Sequence, residues 1–232
     1  VVVDAPDLEL QRYVAGSGWR PSPEESIGQS LQVERRIGLE VTPPAPGVDV
    51  TIEVADPTVA VISTDPTVVG GASITFPLVT GTYTPLIYIQ GLSAGQGTEL
   101  RVTAPGYDQW ITTIATVPAG FFISLPSSDF TTTVGASNRT VRVYSASLDA
   151  LGRVDATQQL GGVLSASVEV SSSDPTVGAI TVSPLTFLGG DTYQQTAFTP
   201  LAEGTTTISI SQPDGFTAPI ARTSVDATVE PG

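Results

Sequence analysis

Side-chain catalysis most often starts from an imidazole, a thiol or an amine, and this chain of 232 residues has no His, no Cys and no Lys. Serine–histidine and cysteine–histidine pairs, Schiff-base lysines and imidazole or thiolate metal sites are therefore excluded. Carboxylates remain. Glu24-Glu25 is the adjacent acidic pair, and two carboxylates are what glycoside hydrolysis needs. It lies in a stretch rich in Pro, Ser and Gly, residues 16–30, which reads as a solvated loop, so no enzyme is expected. Calcium needs only oxygen ligands, and Asp4, Asp7, Asp49, Asp56, Asp65 and Asp174 stand near presumed turns or a junction. None has EF-hand or Gly-Asp repeat spacing. An Asp before Pro makes a corner by itself, because its carboxylate accepts from the backbone while Pro presets φ. No metal and no cofactor is expected.

Recognition chemistry has more candidates. Trp19, Trp110 and Tyr107 are able to stack on sugar rings, although core or interface packing is the more ordinary role of such aromatics. Asn138-Arg139-Thr140 is an N-glycosylation sequon, and the threonine runs 131–133 and 205–207 offer hydroxyls, with strand propensity the plainer reading of both runs. Residues 147–162 look like an insertion, with Leu148, Leu151 and Leu160 spaced for a short helix or a protruding hairpin. This stretch and residues 16–30 are the two expected ligand-facing segments. Val1, Val2 and Val3 form a short apolar strand able to pair with an open sheet edge of a neighbour.

The elements that position these residues are organised by a repeat. Asp56-Pro57-Thr58-Val59 returns as Asp174-Pro175-Thr176-Val177, each flanked by apolar-alternating runs. Leu100-Arg101-Val102-Thr103 is answered by Ile208-Ser209-Ile210-Ser211, and Ala115-Thr116-Val117 by Ala227-Thr228-Val229. Order and near-constant separation predict two domains, 1–118 and 119–232. Strict alternation over residues 8–14, 48–55, 72–78 and 110–117, punctuated by turn residues, predicts short strands and an all-β fold of two tandem antiparallel sandwiches. The run from Leu31 to Val41 slips at Arg35-Arg36, which predicts a bulge there.

Composition bounds partners. The net charge is −14 with nine arginines, and no basic, aromatic-interleaved patch is evident, so nucleic acid is not an expected partner. No apolar run has membrane-spanning length. The chain has no Met, which points to a processed protein or a segment of a longer one, and the likeness of residues 1–6 to residues 116–120 and 228–232 predicts cuts at equivalent points of a longer array.

The motifs Ser172-Ser173-Asp174-Pro175-Thr176-Val177, residues 55–63, Gly71-Ala72-Ser73-Ile74, Tyr88-Ile89-Gln90-Gly91-Leu92 and Thr103-Ala104-Pro105-Gly106-Tyr107 resemble bacterial immunoglobulin-like repeats of large surface and secreted proteins. The resemblance implies immunoglobulin-like sandwiches and an extracellular, structural role as stalk, surface array or filament subunit. It carries no catalytic residues. Implied partners are neighbouring repeats or identical subunits. The alternative is an adhesin or carbohydrate-binding pair recognising a glycan or surface ligand.

Overall fold

The computed structural model describes residues 5–79 and 84–232, and its chain divides into two compact units: Val1–Val117 with Gly161–Val163, and Pro118–Leu160 with Leu164–Gly232. Val1, Val2, Val3 and Asp4 lie outside the described residues. The described secondary structure is all strand.

The first unit holds β1 (Leu8–Val14), β2 (Gly18–Pro21), β3 (Glu24–Gly28), β4 (Leu31–Leu39), β5 (Val48–Val54), β6 (Ala60–Ser63), β7 (Ser73–Leu78), β8 (Ile87–Gly91), β9 (Gly97–Thr103) and β10 (Trp110–Val117). One sheet runs β2-β1-β4-β8-β6 and the other β3-β10-β9-β5-β7. Leu8, Leu10, Ile37, Ile62 and Ile89 of the first sheet share one buried cluster with Ile27, Val50, Ile52, Leu100, Val102 and Ile114 of the second. Two sheets closing over one apolar layer is a sandwich, and this strand order is the immunoglobulin-like one. The pairing is not wholly antiparallel. β3 joins β10 in parallel, Ile114 opposite Glu25.

Two expectations fail here for one physical reason. Residues 16–30 are not a loop: they contain β2 and β3, and Glu25 points inward on the same face as Ile27, with only 3% of its surface exposed. The slip at Arg35-Arg36 is no bulge either. β4 is continuous and keeps Leu31, Val33, Arg35 and Ile37 on one face, because Arg35 replaces an apolar residue at a core position and finds Glu25 there. The strand merely changes its registered partner, from β8 over residues 32–35 to β1 over 36–39. An inward charge breaks the apolar pattern without breaking the strand.

The second unit holds β11 (Ala119–Leu125), β12 (Phe130–Thr133), β13 (Arg139–Leu148), β14 (Val154–Thr157), β15 (Gln159–Leu160), β16 (Ser165–Val168), β17 (Val170–Ser172), β18 (Gly178–Ile180), β19 (Leu185–Leu188), β20 (Tyr193–Pro200), β21 (Gly204–Ile210) and β22 (Ser224–Glu230). One sheet runs β11-β13-β20-β18, with β14 on β13; the facing strands run β12-β22-β21-β17, with β16-β19 as a separate ladder. Phe121 packs edge-on against Phe187 and Phe130 against Phe198, which joins the two layers through aromatic contacts. The order repeats that of the first unit, including the parallel edge strand β12 on β22. No helix forms over residues 147–162; the hairpin of β13 and β14 takes its place.

Register also corrects one of the sequence echoes. Thr98 and Thr206 are equivalent, opposite Ile114 and Ala227 respectively. Ile114 therefore matches Ala227, and the Ala-Thr-Val echo is one residue out of step. In β10 the buried residues are Thr112, Ile114 and Thr116, in β22 Val225, Ala227 and Val229. A shift of one would turn every side chain to the opposite face.

Candidate functional site

The repeated Asp-Pro-Thr turns are local clips. The Asp56 Oδ1 accepts the Thr58 N–H at 2.9 Å and its hydroxyl at 2.6 Å, and Asp174 does the same with Thr176 at 3.0 and 2.6 Å. Asp65 with Thr67 makes a third copy, at 2.8 and 2.7 Å, which the sequence reading missed. The threonine hydroxyl first, then its amide, holds each of these carboxyls below the usual carboxylate range. Each of the repeated turns is tied to its sheet from behind: the Thr98 hydroxyl accepts the Asp56 N–H and the Thr206 hydroxyl the Asp174 N–H, both at 2.9 Å. These carboxylates are spent on their own turns. Among the described residues no group of three acidic side chains is placed to hold a metal ion.

Glu25 and Arg35 form a bidentate pair, the guanidinium Nε and Nη2 donating to the two carboxylate oxygens, with the Glu25 side chain 2% and the Arg35 side chain 14% exposed. Glu24, its neighbour, faces solvent. The adjacent carboxylates thus point to opposite faces of a strand, and the inner one is neutralised by an arginine. They do not form a catalytic pair.

The three aromatics considered for sugar stacking are not brought together. Tyr107 and Trp110 pack against the core of the first unit, and the Tyr107 hydroxyl donates to the Val41 carbonyl at 2.7 Å. Trp19 lies on β2, opposite Tyr13 of β1, with ring centroids 5.8 Å apart and the Arg36 guanidinium 4.5 Å from its centroid. Tyr13, which sequence reasoning did not single out, is 63% exposed. Its alternation within an ordinary amphipathic strand gave no signal of a hairpin partner.

Within residues 147–162, Leu148 and Leu160 are core side chains, each 1% exposed, and their apolar surface is used internally. Leu151 is exposed at the hairpin turn. There the Asp149 carboxylate accepts the Leu151 and Arg153 amides at 2.9 Å each and the Arg153 guanidinium at 2.8 Å. An open cleft of about 270 Å³ lies beside this turn, lined by Arg153, Val154, Ile220, Ala221 and Arg222. Neither arginine is a free cation: Arg153 is held by Asp149, and Arg222 stacks 4.5 Å over Phe122. Phe122, Tyr144 and Tyr193 stand side by side on three adjacent strands, and Arg142 covers Tyr193 at 4.8 Å. Ring faces turned to one another and capped by guanidinium groups stiffen a sheet and leave little face for a ligand.

Sheet edges decide whether strands can be added. The outward groups of β11 are filled by the chain's own loop: the Gln212 amide brackets Phe121, accepting its N–H at 2.7 Å and donating to its carbonyl at 2.9 Å. Thr217 N–H reaches the Ala119 carbonyl and Ile123 N–H the Arg222 carbonyl, both at 2.7 Å. A side-chain amide is acting as a strand. In the first unit β6 is closed by a two-way bridge between Ile62 and Gly71, while β2 carries Arg20 and Pro21 and β7 carries Pro77. These are the usual guards against edge pairing.

No family model and no curated protein matches the chain. Among solved structures it is similar to domains 4 and 5 of the S-layer protein SbsC, at 18% identity over 83% of this chain and 82% of that one, with a TM-score of 0.36. A larger SbsC fragment, domains 1–6, matches 99% of this chain and 28% of its own length at 16% identity and a TM-score of 0.38. The two immunoglobulin domains of DIP-gamma match at 10% identity over 97% and 98% of the respective chains, with a TM-score of 0.27. Likenesses of this size leave the functional reading to the chain's own residues.

Proposed function

We propose that the chain is a structural component of an extracellular or cell-surface assembly, two tandem immunoglobulin-like repeats serving as part of a stalk, array or filament. The observation that carries this reading is the construction of the two units. Each closes its own core between two layers of strands and fixes its Asp-Pro-Thr turn with a buried threonine from the neighbouring strand of the same sheet. Such modules extend by repetition, each adding length without altering its neighbour's core. The residue types add support, since the polar surface is mostly Ser, Thr and carboxylate, with a few arginines and neither imidazole, thiol nor amine. Strand addition by Val1, Val2 and Val3 belongs to this reading as a mode of assembly, and the guarded edges of β2, β6, β7 and β11 restrict where it can occur.

A second reading, a module that binds a glycan or surface ligand, is favoured by the Tyr13–Trp19 pair, in which the Tyr13 ring is exposed while Trp19 is covered by Arg36. Protease treatment of intact cells of the native source distinguishes location. Peptides of this chain released before lysis are the expected result; recovery only after lysis overturns the surface assignment.

A further inference from the structure

The nine arginines of this acidic chain are almost all committed. Arg35, Arg101 and Arg153 are in ion pairs, and Arg36, Arg139, Arg142 and Arg222 lie over aromatic rings. Arg12 and Arg20 remain. They are directly opposite each other in the β1–β2 ladder, both exposed, and among the described residues neither has an acidic partner. Arg20 has only a 3.4 Å contact to the Trp19 carbonyl. Like charges facing each other across a ladder destabilise it. The hairpin that carries them has no counterpart on β11 of the second unit, whose edge Gln212 covers instead.

The complementary surface is on the same chain. The outer face of β22 presents Asp226 and Glu230, and the Asp129 carboxylate lies against the Asp226 amide at 2.9 Å. No arginine occurs in β12, β17, β21 or β22, and among the described residues none of these three acids is in an ion pair. One cationic hairpin and one acidic face per copy are different surfaces, and a contact between different surfaces leaves both partners able to bind again.

We propose that the Arg12/Arg20 hairpin of one copy docks on the Asp226/Glu230 face of a second copy, head to tail. This rests on the reading of the chain as an assembling structural component. Pro21 at the end of β2 turns the contact toward side chains and away from backbone pairing. Since exposed charge pairs are screened, the association weakens with salt.

Sedimentation velocity over a concentration series at 20 mM and 500 mM NaCl tests this. The variants are Arg12→Glu/Arg20→Glu, Asp226→Arg/Glu230→Arg, and all four changes together, with circular dichroism confirming folding. Wild type is expected to form salt-sensitive oligomers. Each double variant should weaken them at least 10-fold, and the four-fold charge swap should restore them. Assembly that neither double variant changes would overturn this contact while leaving the structural reading in place. A wild type that stays monomeric at all concentrations overturns it too. Polygalacturonate binding by that monomer, lost in Arg12→Glu/Arg20→Glu, would assign the hairpin to an acidic glycan.

Discussion

Removing the Glu25 carboxylate should unfold the first unit far more readily than its place in a polar-looking segment suggests. Glu25→Ala leaves the Arg35 guanidinium, 14% exposed, facing Ile27 and Ile37 without a counter-charge. Breaking one side of a buried pair costs about 3–5 kcal/mol, since the surviving ion keeps its desolvation penalty. The second unit supplies the control. By strand register Phe130, opposite Ala227, holds the position of Glu25, and Val141 of β13 that of Arg35. Glu25→Phe/Arg35→Val transplants that apolar solution and should fall within about 1 kcal/mol of wild type or exceed it, because replacing a whole buried pair is near neutral or stabilising. Both tryptophans, Trp19 and Trp110, lie in the first unit, so fluorescence-monitored urea unfolding reports on it selectively. The coupling follows from the double-mutant cycle. A loss below about 1 kcal/mol for Glu25→Ala, or a double variant as unstable as the single ones, would refute the assignment of Arg35 to the core.

The clips give further expectations. Asp56, Asp65 and Asp174 have lowered carboxyl pKa values, so their contribution is present above the unfolded value of 3.8 and is lost as pH falls through the lower folded values. The urea midpoint should hold above pH 5 and decline below pH 4; Asp56→Asn/Asp65→Asn keeps the turn acceptors and should flatten that decline, which an unchanged acid slope would contradict. Thr206→Val strands the Asp174 amide and takes a partner from the half-buried Ser172 hydroxyl, and should cost about 1–3 kcal/mol in calorimetry of the second unit. Gln212→Ala uncovers the Phe121 amide, whose hydrogen exchange should accelerate at least 10-fold; unchanged protection would show that Gln212 does not seal the edge.

The strands whose faces are simply apolar and polar were legible from the sequence: β1 and β10 run over the residues that alternation predicts. Alternation fails where an inward position carries a charge. Glu25 and Arg35 each look solvent-facing in isolation, and only the parallel seating of β3 on β10 brings them together. The Asp56 and Asp174 corners were legible because Asx turns are local, whereas their anchors Thr98 and Thr206 arrive from 42 and 32 residues away. Gln212 shows no pattern of its own, since its work is done across 91 residues. The apolar spacing of Leu148, Leu151 and Leu160 fits a hairpin as well as a helix, and burial separates them: the first and last complete the core and the middle one caps a turn.

A chain that serves as a building block occurs in regular repeats on its native source. Electron tomography of the protein as it occurs on its native source tests that most directly. A repeating lattice or fibre, whose subunit density fits paired sandwich units, is the predicted result; isolated, non-repeating copies would contradict it.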